Sequence, residues 1–167
     1  DTTAATFITS NNAYDHPVDA RRSRGFCGDL VISQNTSCDT LTTNGVSCGS
    51  STGTAENTFA RNFTIPSGSE GAIFCIDFGV ETLTIDTEVV LEIFSSPTSG
   101  APVSSSLTLL TQQASIIPAG DSFIHRIAIN APPIIGSVNN IVAAITVPDL
   151  QPQESFFYFG GDSSVQG

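Results

Sequence analysis

Glu88-Val89-Val90-Leu91-Glu92-Ile93-Phe94 decides the fold. In an extended chain Val89, Leu91 and Ile93 fall on one side and Glu88, Val90 and Glu92 on the other, the two-residue period of a strand with one buried face. The pattern recurs on both sides of this stretch. Upstream, Phe59, Arg61, Phe63 and Ile65 share one face while Ala60, Asn62 and Thr64 share the other. Downstream, Phe123, His125, Ile127 and Ile129 alternate with Ile124, Arg126 and Ala128. Working outward, β-branched and aromatic bursts between Gly, Pro, Asn and Ser clusters predict strands over 6–9, 30–33, 58–65, 72–81, 88–94, 106–110, 122–130, 141–147 and 156–160. No stretch sustains a 3.6-residue period, and the nine prolines and fourteen glycines are too evenly spread for long helices. Eight or nine such strands predict an all-β, antiparallel two-sheet β-sandwich of jelly-roll or immunoglobulin-like topology.

A chain of 167 residues with 40% hydrophobic content fits one domain with a substantial core. Within it, residues 1–25 read as an N-terminal strand plus linker and residues 26–167 as the sandwich. The 6–9 strand is followed by a polar stretch with a basic cluster, Arg21-Arg22-Ser23-Arg24, which reads as solvated linker rather than processing site. Only 13% of residues are charged and none is lysine, so solubility rests on Ser, Thr, Asn and Gly, a surface common outside cells. A net charge of -11 excludes nucleic acid and an anionic membrane surface as partners, because both select a basic patch. No apolar run approaches the ~20 residues of a membrane helix, and membrane insertion is not expected. The chain opens at Asp1 without an apolar leader and is read as a processed or excised piece.

Cys27, Cys38, Cys48 and Cys75 form no CxxC pair and lie far from His16 and His125 in sequence, which argues against zinc. An even count in a lysine-free, Ser/Thr-rich chain predicts two disulfides in an oxidising, extracellular compartment, with three connectivities open. Asn35-Thr36-Ser37 and Asn62-Phe63-Thr64 are glycosylation sequons, so Asn35 and Asn62 are the candidate glycan carriers. Asp86, Glu88 and Glu92 cluster near one strand start, and Asp77 and Glu81 on another strand. Calcium needs 6–8 convergent oxygens, and no D-x-D-x-D-G loop is present, so calcium is not favoured and no cofactor is expected. There is no G-x-S-x-G elbow, and neither histidine sits in a recognisable Ser–His–Asp set, so catalysis is not expected. With no Trp and only Tyr14 and Tyr158, an aromatic platform for sugars is thinly supplied.

Three groups of residues carry a resemblance over most of the chain. They are Ile32-Ser33-Gln34 with Asn44-Gly45-Val46-Ser47-Cys48; Glu56-Asn57-Thr58-Phe59-Ala60-Arg61-Asn62-Phe63 with Ile76-Asp77-Phe78-Gly79-Val80-Glu81; and Glu154-Ser155-Phe156-Phe157-Tyr158-Phe159-Gly160-Gly161. In these the chain resembles a β-sandwich module that recurs in large secreted and surface proteins of bacteria, often without assigned activity. Modules of that kind continue past the Phe-rich strand with a Thr-Ala-Pro-Ser-Tyr-Ile-like strand and then Cys-Gly. Here the similar segment, Thr2-Thr3-Ala4-Ala5-Thr6-Phe7-Ile8, stands at the other end, followed by Cys27-Gly28. The resemblance implies one period of a repeat, or a subunit whose opening strand (Thr2, Thr3, Ala4, Ala5, Thr6, Phe7, Ile8 and Thr9) is an edge element completing a neighbouring copy. Chance likeness in a Thr/Ala-rich stretch is the alternative. It also implies pairing of Cys48 with Cys27, across subunits or within one, and of Cys38 with Cys75. The expected function is thus a structural subunit of an extracellular filament or surface assembly, with copies of itself as partners. The alternative is a carbohydrate-binding or adhesive accessory module of a larger secreted protein, with glycans as partners.

Overall fold

The computed structural model describes residues 5–9, 30–33, 42–67, 69, 71–136 and 138–161. In chain order the strands are β1 (Ala5–Thr9), β2 (Leu30–Ser33), β3 (Thr42–Val46), β4 (Gly49–Ser50), β5 (Gly53–Thr54) and β6 (Asn57–Thr64). They continue as β7 (Ile73–Leu83), β8 (Thr87–Ser96), β9 (Thr108–Ile117), β10 (Gly120–Ala128), β11 (Asn140–Val147) and β12 (Phe157–Gly161). The only helical pieces among the described residues are two 3-10 turns, Ser104–Ser106 and Gln151–Gln153. A four-stranded sheet runs β6-β11-β8-β9, a six-stranded sheet is built around β7, and β4-β5 form a small ribbon. Every strand pair is antiparallel. The fold is the all-β sandwich that the alternation predicts.

β3, β4, β5 and β9 differ from the reading of the sequence; the two-residue strands β4 and β5 are too short to show an alternation. β3 was not predicted, because Asn44-Gly45 reads as a turn; here the pair lies inside a strand. The strand predicted over 106–110 starts two residues later and runs on to Ile117, while Ser104–Ser106 makes a 3-10 turn. Thr111-Gln112-Gln113-Ala114-Ser115 lacks alternation because β9 is an edge strand, and its Gln113 meets polar groups, Ala128 O and Asn130 N, instead of apolar ones.

Between the sheets lie Phe59 and Phe63 of β6, Val89, Leu91 and Ile93 of β8, Ala143, Ile145 and Val147 of β11, and Ile76, Phe78 and Val80 of β7. Phe159 of β12 stacks on Phe59 at 4.8 Å and on Phe78 at 5.2 Å, so one ring joins the two sheets. β11, flanked by β6 and β8, also buries Val142 and Ala144 on its outer face. Along β7 the pairing slips once opposite Ile8 and Thr9 and once opposite Tyr158 and Phe159. A bulge reverses which side a residue faces, and this turns Ile73 and Leu83 into the same core as Ile76, Phe78 and Val80.

Thr54, fully buried, ties the ribbon to the last strand. Its hydroxyl accepts from Phe157 N at 2.8 Å and bonds Ser47 Oγ at 2.9 Å, while its amide donates to Ser155 O. Gly53 beside it has φ +145°, and its Cα lies so close to Ser155 O and Leu150 O that a side chain has no room.

Candidate functional site

The feature with most functional content is the way the edges of β7 are filled. β10 lies along one edge from Cys75 to Leu83. The opposite edge is shared by two strands. β12 covers 80–83, with Phe159 opposite Val80, and β1 covers 73–78, with Ala5 opposite Phe78. Both are antiparallel to β7 and on the same side of it, so they run in the same direction, end to end, with Gly79 at the junction. β1 is also the sole partner of β2 among the described residues. Removing β1 therefore strips hydrogen bonds from β7 and β2 together.

In the single chain β1 is interior, between β7 and β2 of its own polypeptide. Phe7 stands opposite Ile76 and Ile8 opposite Cys75. The reason is that the bare edge of β7 must be paired, and a segment on the same chain meets it at high effective concentration. Thr2, Thr3 and Ala4 of the expected assembly strand lie outside the described residues. So does the whole of the expected linker, residues 10–25.

Cys75 is disulfide-bonded and wholly buried in β7, whereas Cys48, between β3 and β4, is an exposed free thiol. Within the single chain Cys48 therefore makes no bridge. Cys27, Cys38 and the sequon at Asn35 lie outside the described residues. The sequon at Asn62 is described, and it does not stand open as the alternation implied. Its side chain is half-buried, and its amide nitrogen donates to Thr98 O at 2.7 Å and to Gly100 O at 2.8 Å. A glycan on that nitrogen replaces one of its two hydrogens, so attachment costs one of these bonds.

Four of the five acidic side chains considered for calcium, Asp77, Glu81, Asp86 and Glu92, have other partners. Asp77 holds Arg126, its direct cross-strand neighbour, through two bonds of 2.6 and 2.5 Å. These hydrogen bonds raise the Arg126 pKa above its ordinary value, against partial burial, which lowers it. Glu81 accepts from Gly45 N at 2.5 Å, Asp86 from Ala119 N at 2.8 Å, and Glu92 from Gln112 Nε2 at 2.9 Å. Gly45 is required for the first of these, since a Cβ there collides with the Glu81 carboxylate and crowds Phe159 O. Among the described residues no group of three or more His, Cys, Asp or Glu side chains converges.

His125 sits in β10 with its ring against Phe78 at 5.6 Å and Phe123 at 6.3 Å. Desolvation lowers its pKa below the usual 6.5, and the Asp77 charge opposes this. Arg61, on the core-side face of edge strand β6, is half-buried, and burial lowers its pKa as well. No helix of the described residues is long and apolar enough to cross a membrane. Comparison with protein-family models, with curated proteins and with solved structures finds no match.

Proposed function

We propose that the chain is a structural subunit, or repeat, of an extracellular assembly, joined head to tail by exchange of β1 and locked by disulfides. The observation that supports this reading is the slot between β7 and β2. It takes a strand of only five residues, held to the rest by residues 10–29, which at full extension reach on the order of 60 Å. The same hydrogen bonds form whether β1 comes from the same chain or the next one, so closed monomer and open chain differ little in contacts. A β1 entering from a neighbour continues the line of β12, and the contact is heterologous and propagates. The exposed Cys48 thiol then serves as an inter-subunit cross-link.

Deleting residues 1–10 is the test. The truncated chain should stay unassembled in sedimentation and negative-stain microscopy, and a peptide of residues 2–9 should bind it and raise its melting temperature. Filaments formed by the truncated chain, or a full-length chain that never exceeds a monomer, would sink the reading.

A second reading, a glycan-binding accessory or adhesive module, is favoured by one spot. Phe156 and Tyr158 lie with ring centres 6.1 Å apart beside a shallow hollow lined by Ser47, Gly49, Ser50 and Gly53. Aromatic rings next to hydroxyls suit a neutral sugar. Binding to a glycan array that disappears in Tyr158→Ala, with no polymer present, would replace the first reading by this one.

A further inference from the structure

The connection between β8 and β9 reads Pro97-Thr98-Ser99-Gly100-Ala101-Pro102-Val103-Ser104-Ser105-Ser106-Leu107, with no charged residue. Serine and threonine among prolines are the composition that O-linked sugars decorate. Composition alone decides little in a chain so rich in Ser and Thr; the structure adds how this stretch is held. The side-chain nitrogen of Asn62 donates to Thr98 O at 2.7 Å and to Gly100 O at 2.8 Å, and Ser96 Oγ donates to Thr98 O at 2.8 Å. The loop is therefore anchored at its start to β6 and β8. Past the anchor it stands clear, and a side chain at Gly100 would meet nothing within 4 Å.

At its far end Ser104–Ser106 makes a 3-10 turn with no buried residue. The Ser106 amide and hydroxyl both donate to Val103 O, at 2.9 and 2.8 Å, and Leu107 N donates to Ser104 O. The turn is closed through its backbone and Ser106. That leaves the exposed Ser104 and Ser105 hydroxyls with no hydrogen-bond partner among the described residues. Hydroxyls around the β4-β5 ribbon are disposed otherwise: Ser47 bonds Thr54 at 2.9 Å and Ser50 bonds Thr52 at 2.7 Å. Val103, 60% exposed, leaves apolar surface beside the turn that a bulky polar group would shield.

We infer that Ser104 and Ser105 carry O-linked sugars, with the loop as the modification site and Asn62 as its clamp rather than a glycan carrier. Charge selects a neutral sugar over phosphate. A phosphate brings a charge of about -1.5 to -2. The chain already stands at -11, and the connection holds no lysine or arginine to receive that charge. In the transfer, a serine Oγ attacks C1 of a nucleotide sugar. The Oγ–C1 bond forms as the C1–phosphate bond breaks, the nucleoside diphosphate leaves, and the hydroxyl proton passes to the transferase. Asn62 already commits both of its amide hydrogens to the loop, and a sugar on that nitrogen would remove one of the bonds that hold it. The inference shares the extracellular setting of the proposed function and nothing of strand exchange, so a bare chain recovered from outside cells sinks this inference alone.

The experiment is mass spectrometry on the chain purified from the cells that make it. The intact mass should exceed that of the bare sequence by whole sugar residues, and fragmentation that preserves side-chain groups should place them on Ser104 and Ser105, with Asn62 bare. Mild alkali should remove them by β-elimination, and an amidase that cuts sugar from asparagine should release none. Ser104→Ala with Ser105→Ala, made in the same cells, should lose the mass added at the turn and keep the circular dichroism spectrum, because both positions are exposed. A chain without residues 1–10 should retain that mass, which separates the modification from strand exchange. Bare serines in the native chain, phosphate on either one, or sugar confined to Asn62 would each overturn the inference.

Discussion

The two sheets of this sandwich are built differently. In the four-stranded sheet, β6, β8, β9 and β11 are eight to ten residues long, and both β11 pairings run without a register shift. In the six-stranded sheet, one edge of β7 is divided between β1 and β12, five residues each, and both of those pairings slip. The first sheet largely carries its own specification, because its long strands β6 and β8 alternate and so allow only one register that buries their apolar side. The second is put together around one long strand from segments distant in sequence. That is where a piece can be exchanged at least cost to the core.

The contrast can be broken or sharpened by measurement. The largest effect is expected from Phe63→Ala in β6, where a ring with 0% exposure leaves a cavity; a loss of about 3–5 kcal/mol should appear in urea titration. Far- and near-ultraviolet signals should shift together if the sheets unfold as one. Thr54→Val should cost about 1–3 kcal/mol, because Phe157 N loses its acceptor in a buried place. Hydrogen exchange should then quicken at β12 and leave β11 unaffected. Gly45→Ala, which displaces the Glu81 carboxylate, should cost about 1 kcal/mol and loosen β3 alone.

The pH dependence should come from the β10 side. Folding lowers the His125 pKa, so below the unfolded value of about 6.5 the unfolded chain binds the proton first. Stability should hold above that pH and decline as pH falls through it toward the folded value. His125→Gln should flatten the melting temperature between pH 5 and 7, a range set by the usual histidine pKa. The smallest effect is expected from Arg126→Ala. That pair is 39% exposed on the arginine side, and its loss should cost no more than about 1 kcal/mol, shrinking further in high salt.

Much of this was legible before any coordinates. Val89, Leu91 and Ile93 announce the inner face of β8, and Phe59 and Phe63 that of β6; all five are buried as the alternation requires. β3 was not legible, because Asn44-Gly45 is a turn signal unless something distant fills the space of the missing side chain. Glu81, 36 positions away, does so. β9 was legible only in part, because Gln113 owes its place to Ala128 at the end of β10 and to Asn130 just beyond it. Asn62 was assigned to the correct face, but its bonds to Thr98 and Gly100 depend on a loop whose path is not written in its own strand.

The sequence alone determined that the chain is all-β, which residues face inward along the long strands, and that its surface is acidic and almost free of basic groups. Those follow from local period and composition, properties each segment carries with it. Tertiary structure decided that β1 enters between β7 and β2, that it lies in line with β12, and that β9 has β8 as its one partner among the described residues. Strand order is set by which distant edges satisfy one another's hydrogen bonds, and no single segment's pattern encodes its neighbour.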